Sequence, residues 1–318
     1  RVFSARIRPA SSESTNGLPT ASLGPGRIMS IIAGDNGAAG LTPSAFLART
    51  LREPVATAAW DDGTTRLVYV LELGAQGSDS AELSVANFSS TPQGFRVPLG
   101  MGSATVNVPS GEIAVILSSL PTLRGFADLA LVSPKVLLLA SGGDGALYAG
   151  NFSPLSVSVA GSQLAAGDVK VVVGKANAPT LSVDGIPPLE ARLIGPFGVA
   201  VDASQNIFLS EANGRVRVVA APGQPYTLGS LTVAQGTVGT IPVVLAGTQA
   251  AIVEPVFATL GRGDDLFVSD SDLSDPRSNR VLLVRGADAT VSGVVGNGVF
   301  GDTGDSGPAG DARLGISL

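Results

Sequence analysis

The sequence predicts an all-β fold, a β-propeller of four-stranded antiparallel blades, and three observations carry that prediction. The first is compositional: 41 glycines and 21 prolines accompany a charged fraction of only 14%, which favours short strands and tight turns over helices. The second is a recurring apolar run that ends on an acidic or hydroxyl residue, LVYVLE (Leu67 to Glu72), VLLLAS (Val136 to Ser141), NIFLSE (Asn206 to Glu211) and DLFVSD (Asp265 to Asp270). The third is punctuation. Turn clusters precede each run, DDGTT from Asp61, SPK from Ser133, DASQN from Asp202 and GRGDD from Gly261, and they supply the residues that a hairpin needs.

Further runs complete the unit. A third strand is read at Gly214 to Val219 (GRVRVV) and Asn279 to Arg285 (NRVLLVR), with a relative in the opening RVFSARI; LSVANFS (Leu83 to Ser89) and LYAGNFS (Leu147 to Ser153) hold the same place with a different ending. A fourth is read at Ile28 to Gly34, Val169 to Gly174, Ile241 to Gly247 and Val291 to Gly296, with Glu112 to Ser118 as the poorest copy. Linkers then end in a shared tag, Ala48-Arg49, Ala191-Arg192-Leu193 and Ala312-Arg313-Leu314. Thr42 to Glu53, with Pro43 near its start, is the one stretch read as a short helical turn.

A four-stranded meander cannot bury both of its faces alone, so successive units must stack around an axis. The expected organisation is a single propeller domain over 1–318, possible also as a segment of a longer chain. Its units are 1–53 (partial), 54–121, 122–195, 196–253 and 254–318, about five in all with the first and last incomplete. A pair of β-sandwiches would also show short, evenly spaced strands, but sandwiches do not repeat a turn cluster, an acidic strand end and a linker tag together.

The stretch GPFGVAVDASQNIFLSEANGRVRVV (Gly195 to Val219) resembles the NHL repeat, and VVGNGVFGDTGDSGPAGDARL (Val294 to Leu314) is similar to the Gly-Asp-Gly-Gly-Pro-Ala linker between blades of bacterial members. The likeness through Gly261 to Arg285 carries an insertion, and 54–160 match in strand rhythm alone. The resemblance implies a propeller of usually six blades. The strands read in 1–34 therefore need partners from a longer chain or from another molecule.

Composition excludes several functions. Cysteine and histidine are both absent, which removes thiolate and imidazole metal sites and the usual base of a serine nucleophile. A net charge of −6, with Lys135, Lys170 and Lys175 as the only lysines, argues against a nucleic-acid partner, whose phosphates demand clustered cations. The uncharged stretch Ala221 to Val253 is too often broken by Pro, Gly, Gln, Ser and Thr for a membrane span.

Four features are candidate sites. Asp302, Asp305 and Asp311 lie among the glycines of the last linker and offer the oxygen ligands that calcium takes, beside the simpler reading that they hold turns. Glu72, Glu211 and Asp270 fall at equivalent strand ends, where they form either a ring of acids or acceptors for the following turn, completed by Arg215 and Arg280 beside Asn213 and Asn279. Asn87-Phe88-Ser89 and Asn151-Phe152-Ser153 match the acceptor pattern for N-linked sugar, while the repeat itself accounts for their equivalent positions. Arg262-Gly263-Asp264 is an adhesion-type tripeptide at an expected hairpin turn.

The expected function is a non-catalytic recognition or assembly module that binds protein or glycan, or associates with itself as a homo-oligomer or filament, with no catalytic residue and no cofactor other than calcium. The expected location is secreted, cell surface or periplasmic. The alternative is a propeller enzyme, a lyase or hydrolase using channel carboxylates with calcium.

Overall fold

The computed structural model describes residues 44–45, 53–73, 81–99, 102–118, 126–175, 182–244, 252, 255–271 and 279–315. Ser44–Ala45 (β1) is followed by β2 (Glu53–Asp61), β3 (Arg66–Leu73), β4 (Ala81–Asn87), a hairpin of β5 (Gln93–Leu99) and β6 (Gly102–Val108), and β7 (Glu112–Leu117). These form a sheet ordered β1-β7-β4-β3-β2 with the β5–β6 hairpin standing apart from it. The next sheet is β8 (Phe126–Ser133), β9 (Val136–Ser141), β10 (Ala146–Asn151) and β13 (Val169–Val173), again with a separate hairpin, β11 (Val157–Val159) and β12 (Ser162–Leu164). A third repeats the plan with β14 (Pro196–Val201), β15 (Ile207–Glu211), β16 (Arg215–Val219) and β19 (Val238–Ile241), and the hairpin of β17 (Tyr226–Leu228) and β18 (Leu231–Val233). The fourth, β20 (Pro255–Leu260), β21 (Leu266–Asp270), β22 (Arg280–Val284) and β23 (Val291–Val295), replaces the hairpin with a short turn.

All pairings between these named strands are antiparallel. The first strands, β2, β8, β14 and β20, pack side by side in chain order and form the hub. The chain is a β-propeller.

Burial explains why the second strands read as unbroken apolar runs. Leu137 and Leu139 of β9 enter the core shared with the preceding blade, while Val136, Leu138 and Ala140 enter the core shared with the following one. In β15, Ile207 and Leu209 face back and Phe208 faces forward. A strand covered on both faces loses the apolar–polar alternation of a half-exposed sheet. The same distribution disposes of the sandwich alternative, because each inner blade contributes to two successive cores.

Each hub strand bends at a bulge near its start, between Pro54 and Ala56, Phe126 and Asp128, Pro196 and Gly198, and Pro255 and Ala258. A bulge interrupts the ladder and frees backbone amides that need other acceptors. Ser210 and Ser269 provide two: Gly198 N–H donates to Ser210 Oγ at 2.8 Å and Phe257 N–H to Ser269 Oγ at 3.0 Å. Ser210 then donates to the Val256 carbonyl of the next blade at 2.8 Å.

Gly198 is required by this close approach. A Cβ there would fall 2.8 Å from the Ala258 amide nitrogen and from Phe257 Cα, backbone atoms that have no flexible end to move. Gly198→Ala is expected to cost about 1–3 kcal/mol through overpacking, read as a lower denaturation midpoint. A midpoint equal to that of the parent would contradict the close approach.

The structure departs from sequence expectation at several points. Ser44–Ala45 are not helical: they pair with Ile113 and Glu112 at the outer edge of the first sheet, because β7 offers an open edge there. The last unit is complete, with all four strands present. The fourth strand of the third blade is Val238–Ile241 and so begins before the expected Ile241 to Gly247. The strands read in 1–34 lie outside the described residues. The three inserted hairpins have no counterpart in the expected unit.

Candidate functional site

The acids at the ends of the second strands form a buried row in which all four described blades take part. Glu72 is 1% exposed, and Glu211 and Asp270 are fully buried. In the second blade Ser141 holds the strand end and Asp144, three residues on and also buried, supplies the acid. The sequence comparison aligned Ser141 with the acids and so missed Asp144; a hydroxyl at the acid position followed by an acid in the turn is the signal that would have found it.

Partners come chiefly from the third strand. Ser84 donates to Glu72 at 2.9 Å, and Tyr148 donates to Asp144 at 3.0 Å with Ser141 adding a second bond at 3.2 Å. Arg217 Nη1 stands 3.8 Å from Glu211, and Arg280 Nη2 stands 3.6 Å from Asp270. Ser84, Tyr148 and Arg217 occupy one structural position, two residues beyond the residue paired with the strand end. In the fourth blade Leu282 takes that position, and the cation comes from Arg280, directly opposite Asp270. Burial pushes the Glu211 carboxyl up, and the positive charges of Arg217 and Arg215 oppose the shift.

Arg215 does not complete the turn after Glu211 as expected. It reaches out of the blade to Asp184 at 3.3 Å, and Arg217 reaches the same oxygen at 3.2 Å. Thr240 adds its backbone N–H and hydroxyl to the Asp184 carboxylate. Asp184 thus ties the linker between the second and third blades to β16 and β19.

Among the described residues one ionisable residue of the hub lies away from any strand end, Asp128 of β8. Its Oδ2 accepts the Val199 N–H of the next blade at 3.0 Å and its Oδ1 accepts the Leu129 N–H at 2.8 Å. Burial pushes its carboxyl up to about 7 despite both bonds, which pull the other way.

On the opposite face, the asparagines of the two glycosylation-like motifs are sealed inside the fold. Asn87 Nδ2 donates to the Thr91 and Val108 carbonyls, and Asn151 Nδ2 to those of Leu155, Leu164 and Ala165. Their Oδ1 atoms accept the Ser89 and Ser153 amides. Both side chains hold the base of an inserted hairpin, and a sugar on either is incompatible with the folded state. Phe152 is fully buried, and its carbonyl accepts the Arg96 N–H of the preceding blade's hairpin at 2.9 Å. Tyr69, Phe95 and Lys135 continue that junction, with Tyr69 edge-on to Phe95 and the Lys135 ammonium 5.2 Å from the Phe95 ring centroid.

Asp302, Asp305 and Asp311 are exposed and spread along the last linker, and among the described residues no three acids gather as a metal-binding group. Asp311 ends a short 3-10 turn, Ala309–Asp311, and the linker folds on itself through backbone bonds such as Arg313 N–H to Thr303 O at 2.8 Å. Thermal melting with excess calcium or with chelator is expected to give the same midpoint; a calcium-dependent rise would assign the ion to this chain. Arg262-Gly263-Asp264 makes the hairpin turn between β20 and β21, with Gly263 at φ 67° and Asp264 at φ 63°.

No protein-family model and no curated protein matches the chain. Among solved structures it is similar to virginiamycin B lyase from Staphylococcus aureus, at 10% identity over 77% of this chain and 82% of that one with a TM-score of 0.34. It is also similar to a protein of unknown function from Bacteroides thetaiotaomicron, at 12% identity over 82% and 74% of the two chains with a TM-score of 0.28. Among the described residues no helix is long and apolar enough to cross a membrane.

Proposed function

We propose that this propeller is a non-catalytic recognition or assembly module of NHL type, exported to the cell surface or periplasm, that binds protein or glycan or associates with itself. The observation that supports this reading is how the acids are used. Glu72, Asp144, Glu211 and Asp270 are turned into their own blades toward serine, tyrosine or arginine, and both oxygens of Asp128 accept backbone amides. Among the described residues the acids of the row are spent on partners within their own blades rather than presented to a ligand. Exposed apolar side chains instead mark the periphery: Leu99 at the tip of the first inserted hairpin, Leu155 beside the second, and Val183, Leu189, Val244 and Phe300 along the linkers.

The alternative, an enzyme working through channel carboxylates, has Asp128 in its favour, since an acid near neutrality suits proton transfer. It requires a second acid facing Asp128, and the other acids of the described hub strands, Glu53 and Asp61, sit at the two ends of β2. Light scattering at rising protein concentration tests self-association, with a mass above the monomer expected. A strictly monomeric chain removes the assembly form, and protein pull-down and glycan-array binding then test recognition. The net charge of −6 leads to an expectation of weak retention on heparin.

A further inference from the structure

We propose that the blades with arginine-paired acids each hold an internal water molecule, bridging Glu211 to Arg217 in the third blade and Asp270 to Arg280 in the fourth. The inference begins with a contrast within one protein. Where the third strand supplies a hydroxyl, the bond to the acid closes directly, at 2.9 Å for Ser84 and 3.0 Å for Tyr148. Where arginine is supplied, the charges stop at 3.8 Å and 3.6 Å, beyond the reach of an N–H···O bond. A polar pair held apart at that distance in the interior is the geometry that a water bridge fills.

The atoms around the gap specify the occupant. In the third blade both carboxylate oxygens of Glu211, both amide atoms of Asn213 and Nε of Arg217 are buried without a hydrogen-bond partner. Ile194 N–H and the Asn213 amide lie near enough to favour the charged carboxylate, but without closing a bond to it. In the fourth blade Nε and Nη2 of Arg280 are in the same condition. The occupant must accept from guanidinium and amide, donate to carboxylate, and carry no net charge beside a pair that already balances. Water meets all three requirements. Leaving that many buried groups unmet would cost several kcal/mol, and internal waters typically make about three such bonds.

A crystal structure that shows ordered solvent tests the proposal. The expected result is a single water-sized peak bonded to the Glu211 carboxylate and Arg217, and a second between Asp270 and Arg280. Direct contact of Arg217 with Glu211 and no peak between them overturns it, as does a peak too heavy for water. In solution, water-proton relaxation dispersion should report one fewer long-lived water in a Glu211→Met/Arg217→Met variant than in the parent. An unchanged count would also overturn the proposal, and if the variant does not fold, the parent crystal decides.

Discussion

Replacing Asp128 by asparagine is expected to stabilise the protein at neutral and alkaline pH and to weaken it modestly in mild acid. Asp128 has its carboxyl pushed up to about 7 from an ordinary value of 3.8 because the hub buries it. A group whose pKa is raised on folding contributes most to stability below its unfolded value. That contribution is lost as pH rises through the folded value. Between about pH 4 and pH 7 the folded state therefore gives up roughly 4 kcal/mol to keep Asp128 ionised between the second and third blades. Asparagine carries no charge, but it offers one acceptor where the amides of Val199 and Leu129 use two, so it forfeits one buried hydrogen bond, about 1–3 kcal/mol at every pH, against the larger relief of the buried charge above neutrality. Chemical denaturation of parent and variant near pH 4.5 and pH 8 should show a gap that opens with pH, with Asp128→Asn the more stable at pH 8. A gap equal at both pH values would mean that burial does not govern this carboxyl. Because Glu211 is also pushed up by burial, the parent's own pH profile mixes two groups, and the difference between parent and variant isolates Asp128.

The architecture was legible because propellers write it into the chain twice, as strand rhythm and as turn chemistry. Leu67 to Glu72, Val136 to Ser141, Asn206 to Glu211 and Asp265 to Asp270 all coincide closely with second strands. The hairpins between third and fourth strands were not legible. In the second and third blades Val157–Val159, Ser162–Leu164, Tyr226–Leu228 and Leu231–Val233 are three-residue strands, too short for a period of two to stand out; in the first, Gln93–Leu99 and Gly102–Val108 are seven residues each, but no other unit repeats strands of that length there. Their anchor was visible but misread. Asn87 and Asn151 look like surface acceptors in sequence, whereas their amides end up buried against hairpin carbonyls. In the third blade Asn206 accepts the Ala221 N–H at 2.9 Å, so the asparagine sits in the turn before β15 rather than at the end of the third strand, and the pattern is broken. The same limit applied to the acid row. Sequence spacing located the strand ends, but it could not show that the acids face inward, because Arg217, Tyr148 and Ser84 share a position that no residue-type comparison would align.

Arg217→Met is expected to be among the most destabilising single substitutions in the protein, at about 3–5 kcal/mol, the usual cost of leaving a buried charge without its partner. Arg217 is fully buried and is shared between two acids. Asp184 keeps Arg215 and Thr240 if Arg217 is removed, but Glu211 is left in the interior with only the more distant charge of Arg215. Its carboxyl then rises further, so the loss should be largest above neutrality and smaller in acid, where Glu211 can take up a proton. The double variant Glu211→Met/Arg217→Met removes both charges and should recover much of the loss, since apolar replacement of a buried ion pair is often neutral or better. Urea denaturation of both variants at pH 5 and pH 8 separates the cases. If the single variant loses stability equally at the two pH values and the double variant recovers none of it, Arg217 acts through packing of its alkyl chain rather than through its charge.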